Sequence, residues 1–530
     1  MPVTPTYPGI YIEELPSSAR TITAAPTSVT VFVGYTHPFK TRKPDQAIEI
    51  FNFTEYEREF GGFYESDLIQ CQVAHAVNQF FINGGSVAYV VGLQAKYRSD
   101  TSGMLLGSGV IAPPEKTIGG IKFIGREPTD ISTKPLTVKI SNLRTTKSVD
   151  DTADIAITYG SQVEIYRGVK LGVPNTDPDF IENRLGTKDN PVSALVVPAS
   201  PPALPASFSA GQENLVPLVL NTNVATTFYA DDFKEVFQSD TSLDKVSIFN
   251  LLLIPGVTDN GILSDALAFC ERKQAFFIMD PPPQAAADEK SIGTTPIAKF
   301  LEDPDHVIPE LPKHKNGALY FPYLKSVNPI TGKRLDLPPS GFVAGIYART
   351  DLNRGVWKAP AGLETTILNT TGVVEQGLMS DQRQGTLNPL GVNCLRSFPG
   401  VGTVIYGART LVTNNLAYQQ WRYVPVRRMA LFIEQTLFRN LGWVVFEPND
   451  EPLWVAIRIS IENFMLSLFN QGAFQGSKPS QAFQVKCDSS TTTQTDIDNG
   501  IVNIIVAFAP LKPAEFVIVK IAQLSGQVQS

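Results

Sequence analysis

The chain is poor in the residues that build metal centres and disulfide bonds. It contains four cysteines (Cys71, Cys270, Cys394 and Cys487) and four histidines in 530 residues. No two cysteines form a CxxC pair, and no histidine is followed two to four residues later by a histidine or cysteine, as is typical of a metal site. We therefore expect no metal and no cofactor, and four reduced cysteines in a chain that folds in the cytosol.

Enzyme motifs are missing as well. The sequence has no GxxxxGK[ST] phosphate loop and no GxSxG nucleophile elbow. The string from Gly400 to Ile405 has isoleucine where a dinucleotide fingerprint needs its third glycine, so it predicts a tight turn that serves packing. We expect His75 to be structural, and His306 and His314 to be solvated loop residues.

Charged residues and long apolar runs are also scarce. Charged residues make up 18% of the chain, below the average of roughly 25%. A large surface buried against partners is one explanation, and large cores are the alternative. The net charge of −7 argues against nucleic acid, because phosphate binding needs a basic face. The adjacent pairs Glu13-Glu14 and Asp231-Asp232 are expected to be solvated. The N-terminus lacks the features of a signal peptide, and no apolar run is long enough to span a membrane.

Apolar patterning predicts an α/β sheet at the start of the chain. Residues 28–34 (SVTVFVG) and 86–91 (SVAYVV) are predicted strands around a helix at 67–82, which begins after Ser66 and places Ile69, Val73, Val77 and Phe80 on one face. Strand, helix and strand indicate a parallel βαβ unit covered on both faces. The apolar segments 246–254 and 275–279 predict that the same sheet is completed later in the chain.

The segment between these two parts differs in amino-acid composition and contains fewer aromatic residues. Ile155, Ile157 and Tyr159 alternate with other residues before Gly160-Ser161, and the alternation continues after it, which is typical of a β-hairpin. Residues 191–207 are rich in proline, alanine and serine and predict a surface loop or linker. We interpret residues 96–235 as a β-rich domain inserted into the α/β domain.

The C-terminal part predicts two amphipathic helices followed by two strands. The helices are predicted at 427–441 and 452–469, and the strands at 501–508 and 515–521. The fold class is therefore α/β, or α+β overall, with exchangeable terminal strands. The predicted domains are a 1–20 N-terminal extended arm, a 21–95 plus 236–380 α/β core, a 96–235 inserted domain, a 381–509 C-terminal α+β domain and a 510–530 C-terminal arm.

Both ends of the chain carry a strand candidate beside prolines. A strand tethered in this way can add to the sheet edge of a neighbouring molecule, although most terminal strands pair within their own chain. The candidate arm residues are Ile10, Tyr11, Ile12, Glu13, Glu14, Phe516, Val517, Ile518 and Val519.

Arginines crowd into one stretch of the C-terminal half. The candidates for interface or core positions are Arg349, Arg354, Arg409, Arg427 and Arg428. The planar guanidinium suits paired carboxylates in desolvated interfaces. Salt bridges and carbonyl contacts within the domain are the alternative, and a nucleic-acid groove is disfavoured because no stacking aromatic module accompanies the cluster.

A set of short segments stands in a fixed order along the chain: PGIYIEE (8–14), TSV (27–29), FVG (32–34), GIYARTD (345–351), RGVWKAP (354–360), LNP (387–389), GART (407–410), RR (427–428), FEPN (446–449), AF (482–483) and PAEF (513–516). Taken together, these segments resemble the contractile tail sheath family of phage tails and phage-tail-like injection systems. The resemblance covers about 1–93 and 240–525, and residues 96–235 match no pattern.

The resemblance implies a structural role without catalysis. Subunits of this family stack as hexameric rings in a helical cylinder around an inner tube, and contraction drives the tube through a target envelope. The implied partners are further copies of the chain, the inner tube, the baseplate and the tail terminator or cap proteins, with no nucleic acid and no membrane insertion. The resemblance also implies strand exchange by both arms, a C-terminal domain that faces the tube and an inserted domain that faces outward.

Assembly in the bacterial cytoplasm is expected, followed by presence in a virion tail or a released extracellular particle. Two alternatives stay open from the residues alone. One is a non-contractile shell or tail protein, and the other is an α/β hydrolase-like enzyme with an unrecognised site.

Overall fold

The structure, a computed structural model, describes most of the chain. The described residues are 20–38, 40–64, 71–98, 105–110, 113–126, 135–144, 152–160, 162–170, 176–187, 190–199, 210–215, 229–281, 311–329, 332–374 and 379–521. The predicted N-terminal arm strand with Ile10–Glu14, the proposed cap Ser66, Ile69 and His306 lie outside these residues.

Helices and strands alternate through most of the described chain. The helices are α1 (Phe53–Phe60), α2 (Gln72–Ile82), α3 (Ile181–Leu185), α4 (Ala230–Val236), α5 (Asn260–Arg272), α6 (Ser340–Arg354), α7 (Asp381–Leu387), α8 (Val424–Asn440), α9 (Glu451–Asn470), α10 (Pro479–Ala482) and α11 (Gln494–Asp498). Short 3-10 helices cover Asn388–Leu390, Leu416–Trp421 and Gly442–Val444.

The strands fall into one large sheet and several small ones. They are β1 (Thr30–Tyr35), β2 (Ala47–Ile50), β3 (Ala88–Leu93), β4 (Lys96–Arg98), β5 (Leu105–Val110), β6 (Glu115–Ile118), β7 (Ile121–Gly125), β8 (Leu136–Arg144), β9 (Thr152–Tyr159), β10 (Gln162–Lys170), β11 (Val196–Ala199), β12 (Gly211–Asn214), β13 (Leu251–Leu253), β14 (Phe276–Met279), β15 (Gly317–Phe321), β16 (Leu324–Val327), β17 (Arg334–Leu337), β18 (Gly372–Val373), β19 (Val392–Phe398), β20 (Gly402–Ile405), β21 (Phe483–Lys486) and β22 (Ile505–Phe508).

The large sheet has the strand order β2-β3-β1-β13-β14-β15-β19-β20. Its inner strands, from β3 to β19, are parallel, and both outermost strands are antiparallel to their neighbours. The predicted βαβ unit and the completion of the sheet after the insertion are confirmed. The sheet also includes β19 and β20, so the domain boundary predicted at 380 cuts through it.

Both faces of this sheet are covered, as continuous apolar strands require. Along β1, Val31 and Val33 belong to one buried cluster, and Phe32 belongs to another on the opposite face. Helices α4 and α5 contribute Phe233 and Ile262 to the first cluster, whereas α2 and α6 contribute to the second.

Helices α2 and α6 approach each other closely through two glycines one turn apart. A Cβ added at Gly341 would lie 2.5 Å from the carbonyl oxygen of Ala76, and one added at Gly345 would lie 2.6 Å from Cβ of Asn83. Because both distances are shorter than real Cβ contacts, a side chain at either position would push the helices apart.

We expect Gly345→Ala to destabilise the fold by about 1–3 kcal/mol, because the added methyl group overpacks the contact between α2 and α6. Gly385→Ala in α7 is the matched control, since nothing lies within 4 Å of its added Cβ. There, alanine should be neutral or slightly stabilising, since it favours the helix. Denaturant unfolding of both variants checks this, and equal effects at the two positions would contradict it.

The start of α6 is held by a buried carboxylate at the end of β14. Asp280 accepts hydrogen bonds from the backbone N–H of Ser340 (2.7 Å), from its hydroxyl (2.7 Å) and from the N–H of Gly256 (3.0 Å). Burial raises the pKa of Asp280 to about 6, although these three hydrogen bonds act in the opposite direction.

This carboxylate gives a pH-dependent contribution to stability. Because the pKa of Asp280 is higher in the folded state than its ordinary value of 3.8, the folded state binds more protons between about pH 4 and 6. The contribution of Asp280 to stability therefore falls as pH rises through this window, by about 3 kcal/mol. Denaturation of the wild type and Asp280→Asn between pH 4 and 7.5 measures it as their difference, and a constant difference would contradict it.

The inserted region forms its own β-rich domain with a separate core. Its sheets have the orders β10-β9-β8-β12 and β11-β7-β6, and the buried cluster between them runs from Ile118 to Leu215. The predicted hairpin is confirmed, with Tyr159 paired to Gln162. The linker predicted at 191–207 is wrong for β11, which pairs with β7 and tolerates Pro198 because it is an edge strand.

The C-terminal helices α8 and α9 pack together with β21 over a fourth buried cluster. By length and composition α9 could cross a membrane, with a mean hydropathy of 1.3. It is instead a core helix, because one side of it is buried in this cluster through Leu453, Trp454, Ile457, Ile461, Phe464, Met465 and Leu468.

Candidate assembly surface

The predicted arginine Arg428 lies inside the molecule. Its guanidinium forms a two-pronged ion pair with Asp351, at 2.8 and 2.6 Å, and donates to the carbonyl oxygen of Thr27 at 2.9 Å. It also lies over the ring of Tyr347, 4.6 Å from the centroid. Both ion-pair side chains are 3% exposed. This arginine therefore ties α8 to α6 and to the segment before β1.

Arg427 and Arg349 are also used within the chain. Arg427 donates to the side-chain oxygen of Asn316 at 2.7 Å and pairs with Glu434 at 3.0 Å. Arg349 donates to the carbonyl oxygen of Thr366 at 2.6 Å. These contacts agree with the alternative reading of the arginines as internal salt bridges and carbonyl contacts.

Arg354 and Arg409 lie instead at a surface groove, a cavity of about 1130 Å³. Arg354 is exposed and pairs with Glu364 at 2.8 Å. Other residues that line the groove include Leu363, Tyr406 and the segment from Leu511 to Phe516. The structure thus buries Arg427 and Arg428, leaves Arg349 half-buried, and places Arg354 and the buried Arg409 at the groove.

The C-terminal arm is anchored in this groove by one ion pair. Arg409 donates to Glu515 from Nε at 2.9 Å and from the guanidinium Nη2 at 2.5 Å. The hydroxyl of Tyr423 donates to the same carboxylate at 3.4 Å, and Arg409 also donates to the carbonyl oxygen of Asn388 at 3.0 Å. A paired carboxylate of this kind holds the chain at Glu515 and fixes where the arm begins.

Beyond Glu515 the arm is exposed over the residues that the structure describes. The side chains of Phe516 to Val519 are 73 to 82% exposed. The strand predicted at 515–521 does not form, because none of the described strands pairs with it. Four consecutive apolar residues, Phe516 to Val519, are therefore exposed to solvent directly after the ion pair between Arg409 and Glu515.

A short two-stranded sheet lies close to this arm. β21 pairs with β22 alone, and both strands leave an outer edge without a strand partner among the described residues. The exposed Ile501 and Ile505 lie before and within β22. The strand predicted at 501–508 is therefore shorter than expected but real.

The segment that follows the N-terminal arm, from Arg20 to Ala25, lies against helices α8 and α9. The backbone N–H of Arg20 donates to the hydroxyl of Ser460 in α9 at 3.2 Å, and that of Ala25 donates to Thr436 in α8 at 3.1 Å. Both arms therefore start from the same domain, although residues 1–19 are outside the described part of the chain.

Two predictions about polar residues are wrong. Asp232 is buried rather than solvated, and it accepts a hydrogen bond from the hydroxyl of Tyr35 at 2.9 Å. His314 is half-buried, and its ring lies 3.2 Å from the carboxylate of Glu271. In both cases the partner is distant in the sequence, so local polarity gave the wrong expectation.

The remaining predicted groups show no catalytic arrangement. His75 is buried, and burial lowers its pKa to about 4, which fits the predicted structural role. The four cysteines are buried and unpaired. Within the described ranges, no group of three or more histidine, cysteine or acidic side chains could hold a metal ion.

Comparison with protein families gives two adjacent matches. Residues 241–411 match the central domain of the phage tail sheath protein, and residues 417–523 match the phage tail sheath C-terminal domain. Together the two matches cover more than half of the chain.

Individual relatives are similar over parts of their length. A tail sheath protein of Vibrio phage KVP40 is 26% identical over 179 residues, which are 34% of this chain and 25% of that protein. A prophage major tail sheath protein of Pseudomonas aeruginosa is 25% identical over 285 residues, 52% of this chain and 65% of the relative. The chain thus matches less than two thirds of the length of these relatives.

Solved structures share the fold over nearly the whole chain. The sheath of an extracellular contractile injection system, PVC, in its contracted state has a TM-score of 0.58 at 23% identity, with 98% of each chain covered. The contracted helical sheath of the anti-feeding prophage has a TM-score of 0.56 at 22% identity, covering 98% of this chain and all of that one. The described fold is therefore that of these sheath subunits.

Proposed function

Because the chain belongs to the phage tail sheath family, whose members are structural proteins rather than enzymes, we propose that it is the subunit of a contractile sheath. Copies of it stack as hexameric rings in a helical cylinder around an inner tube. Contraction of the cylinder drives the tube through a target envelope.

The observation that carries this proposal is the C-terminal arm. Its apolar residues Phe516 to Val519 are exposed, while Glu515 just before them is held by Arg409. An exposed apolar segment that needs a strand partner can find one on the edge of a neighbouring copy. The two-stranded sheet of β21 and β22 offers such an edge.

In this proposal the N-terminal arm also links the subunit to a neighbouring copy. Its strand candidate, Ile10–Glu14, follows prolines and is tethered to α8 and α9 through Ala25 and Arg20. Because both arms leave the same domain, each subunit can be joined to neighbours on two sides. Main-chain hydrogen bonds between an arm strand and a neighbour's sheet edge connect subunits without depending on which side chains the other surfaces carry.

Contraction follows from rigid subunit bodies that stay joined by the two arms. The extended cylinder is metastable, and the contracted state buries more surface between subunits, whose cores are too well packed to deform. The arms act as hinges and keep the lattice connected while the subunits move. No nucleotide is needed for the stroke, which agrees with the absence of a phosphate loop from the sequence.

The partners in this proposal are further copies of the chain, the inner tube, the baseplate and the tail terminator or cap proteins. The C-terminal domain faces the tube, and the inserted domain faces outward. The particle assembles in the bacterial cytoplasm and acts as a virion tail or as a released injection device.

Electron microscopy of the purified protein tests the proposal. Striated cylinders or long polysheaths are the expected result. Closed shells would favour a non-contractile shell protein, and a small soluble oligomer in light scattering would contradict sheath assembly altogether.

A further inference from the structure

Phe446 is an apolar side chain that stands clear of the described part of the chain. It stands fully exposed in the loop between α8 and α9, next to the exposed Val445. Its φ of 71° lies in the left-handed region, which is unfavourable for a bulky residue that is not glycine. Side chains are held in such conformations mainly at functional contacts.

The loop around Phe446 is firmly held. The N–H of Glu447 donates to the carbonyl oxygen of Val444 at 3.2 Å. Asn449 donates to the carbonyl oxygen of Ile501 at 3.0 Å and accepts from the indole N–H of Trp454 at 2.9 Å. The phenyl ring is therefore presented by a rigid support.

The surface around this ring is acidic. Between Arg439 and Arg458 the chain carries three carboxylates, Glu447, Asp450 and Glu451, and no further lysine or arginine. All three are exposed. We call residues 445–451 the acidic knob. The guanidinium of Arg20 stacks on Trp443 at the base of the loop.

The groove that holds the C-terminal arm has the opposite character. Its cations are Arg354, Lys358, Arg396, Arg409 and Lys512, against the two lining carboxylates Asp381 and Glu515. With Glu364, which pairs with Arg354 and Lys358, the balance of five cations and three anions is still positive. Exposed apolar side chains in the groove, including Leu363, Tyr406 and Phe516, can receive an aromatic ring.

The knob cannot reach the groove of its own chain. The knob ends at the start of α9, and the groove is lined by Gln471 and Gly472 at the other end of that helix. A helix of 20 residues is about 30 Å long. When two complementary surfaces lie at opposite ends of one subunit, copies join head to tail. Repetition of that contact builds a ring or a helix.

We propose that the acidic knob of one copy docks in the basic groove of a second copy, with Phe446 among the apolar side chains of the groove and the carboxylates facing its cations. This contact rests on the proposed assembly into a sheath. It adds a rigid side-chain contact between subunits to the main-chain link proposed for the arms.

Disulfide capture in assembled cylinders tests this contact. Two differently tagged chains, one with Phe446→Cys and one with Leu363→Cys, are mixed, assembled and oxidised. A disulfide that joins the two tags is expected, and the native cysteines do not compete because all four are buried. Leu416→Cys replaces Phe446→Cys in the control, since Leu416 is 82% exposed on another surface and should give no such product.

A second variant separates the contact from folding. Phe446→Gly removes the ring and suits the left-handed backbone, so its melting temperature should be unchanged or higher. The yield of cylinders should nevertheless fall at least about tenfold, the equivalent of about 1.4 kcal/mol in association.

The outcomes distinguish this contact from the proposed function. Cylinders that form without the disulfide between positions 446 and 363, or in which position 446 links to a different tail protein, would overturn the contact and leave the sheath function intact. Normal cylinders from Phe446→Gly would overturn it too. A wild-type protein that forms no cylinders would overturn both.

Discussion

Deletion of residues 516–530 should leave a folded protein that cannot form cylinders. The deleted residues that the structure describes are exposed and pair with no described strand, so their loss removes little from the core. The anchor between Arg409 and Glu515 stays in place. If this arm exchanges strands as proposed, assembly loses the main-chain link between copies. Electron microscopy should show no tubes, and the melting temperature should be close to that of the full chain.

A shorter deletion provides the control. Removal of 523–530 takes away only the polar tail and keeps the strand candidate at 515–521, so cylinders should form normally. Deletion of residues 1–20 should behave like the longer C-terminal deletion, because it removes the other arm. Normal tubes from either arm deletion would refute strand exchange by that arm.

Asp351→Ala should be among the most damaging single substitutions, with a cost of about 3–5 kcal/mol. It leaves the guanidinium of Arg428 charged and buried beneath α6 without its carboxylate partner. The remaining acceptor, the carbonyl oxygen of Thr27, satisfies only one of the donor groups. Thermal or denaturant unfolding should show a large loss of stability, accompanied by loss of soluble protein.

The matched control is another ion pair, at the surface. Asp381 pairs with Arg396 at 2.6 Å but is 92% exposed, so Asp381→Ala should cost no more than about 1 kcal/mol. Replacing both Asp351 and Arg428 by apolar residues should recover part of the stability, because no buried charge is then left alone. Equal losses for Asp351→Ala and Asp381→Ala would show that burial does not set the cost.

The parallel sheet could be predicted because its strands are buried on both faces. Continuous apolar runs such as 28–34 and 275–279 then stand out without any knowledge of their neighbours. Strand β2 carries a weaker pattern because it lies at the edge of the sheet. Helix α1 has only eight residues, of which Tyr56 and Phe60 are buried, so its pattern is short. The place of β19 in the sheet depends on its pairing with β15, which no local pattern records.

The assembly surface was predictable only in outline. Prolines and apolar runs pointed to the arms, but the anchor at Glu515 depends on Arg409, 106 residues earlier. The pairing of Asp351 with Arg428 likewise depends on how α6 meets α8. The sequence alone identified a cluster of arginines. The fold determines which of them form ion pairs and carbonyl contacts inside the chain and which lie at the groove.

The inserted domain keeps its hydrophobic interior to itself. Its buried cluster contains only residues between Ile118 and Leu215, and none is shared with the large sheet. The sequence and size of the inserted domain can therefore change during evolution without disturbing the packing around the large sheet. Divergence among species should accumulate there first, and it is the natural place to graft a foreign polypeptide.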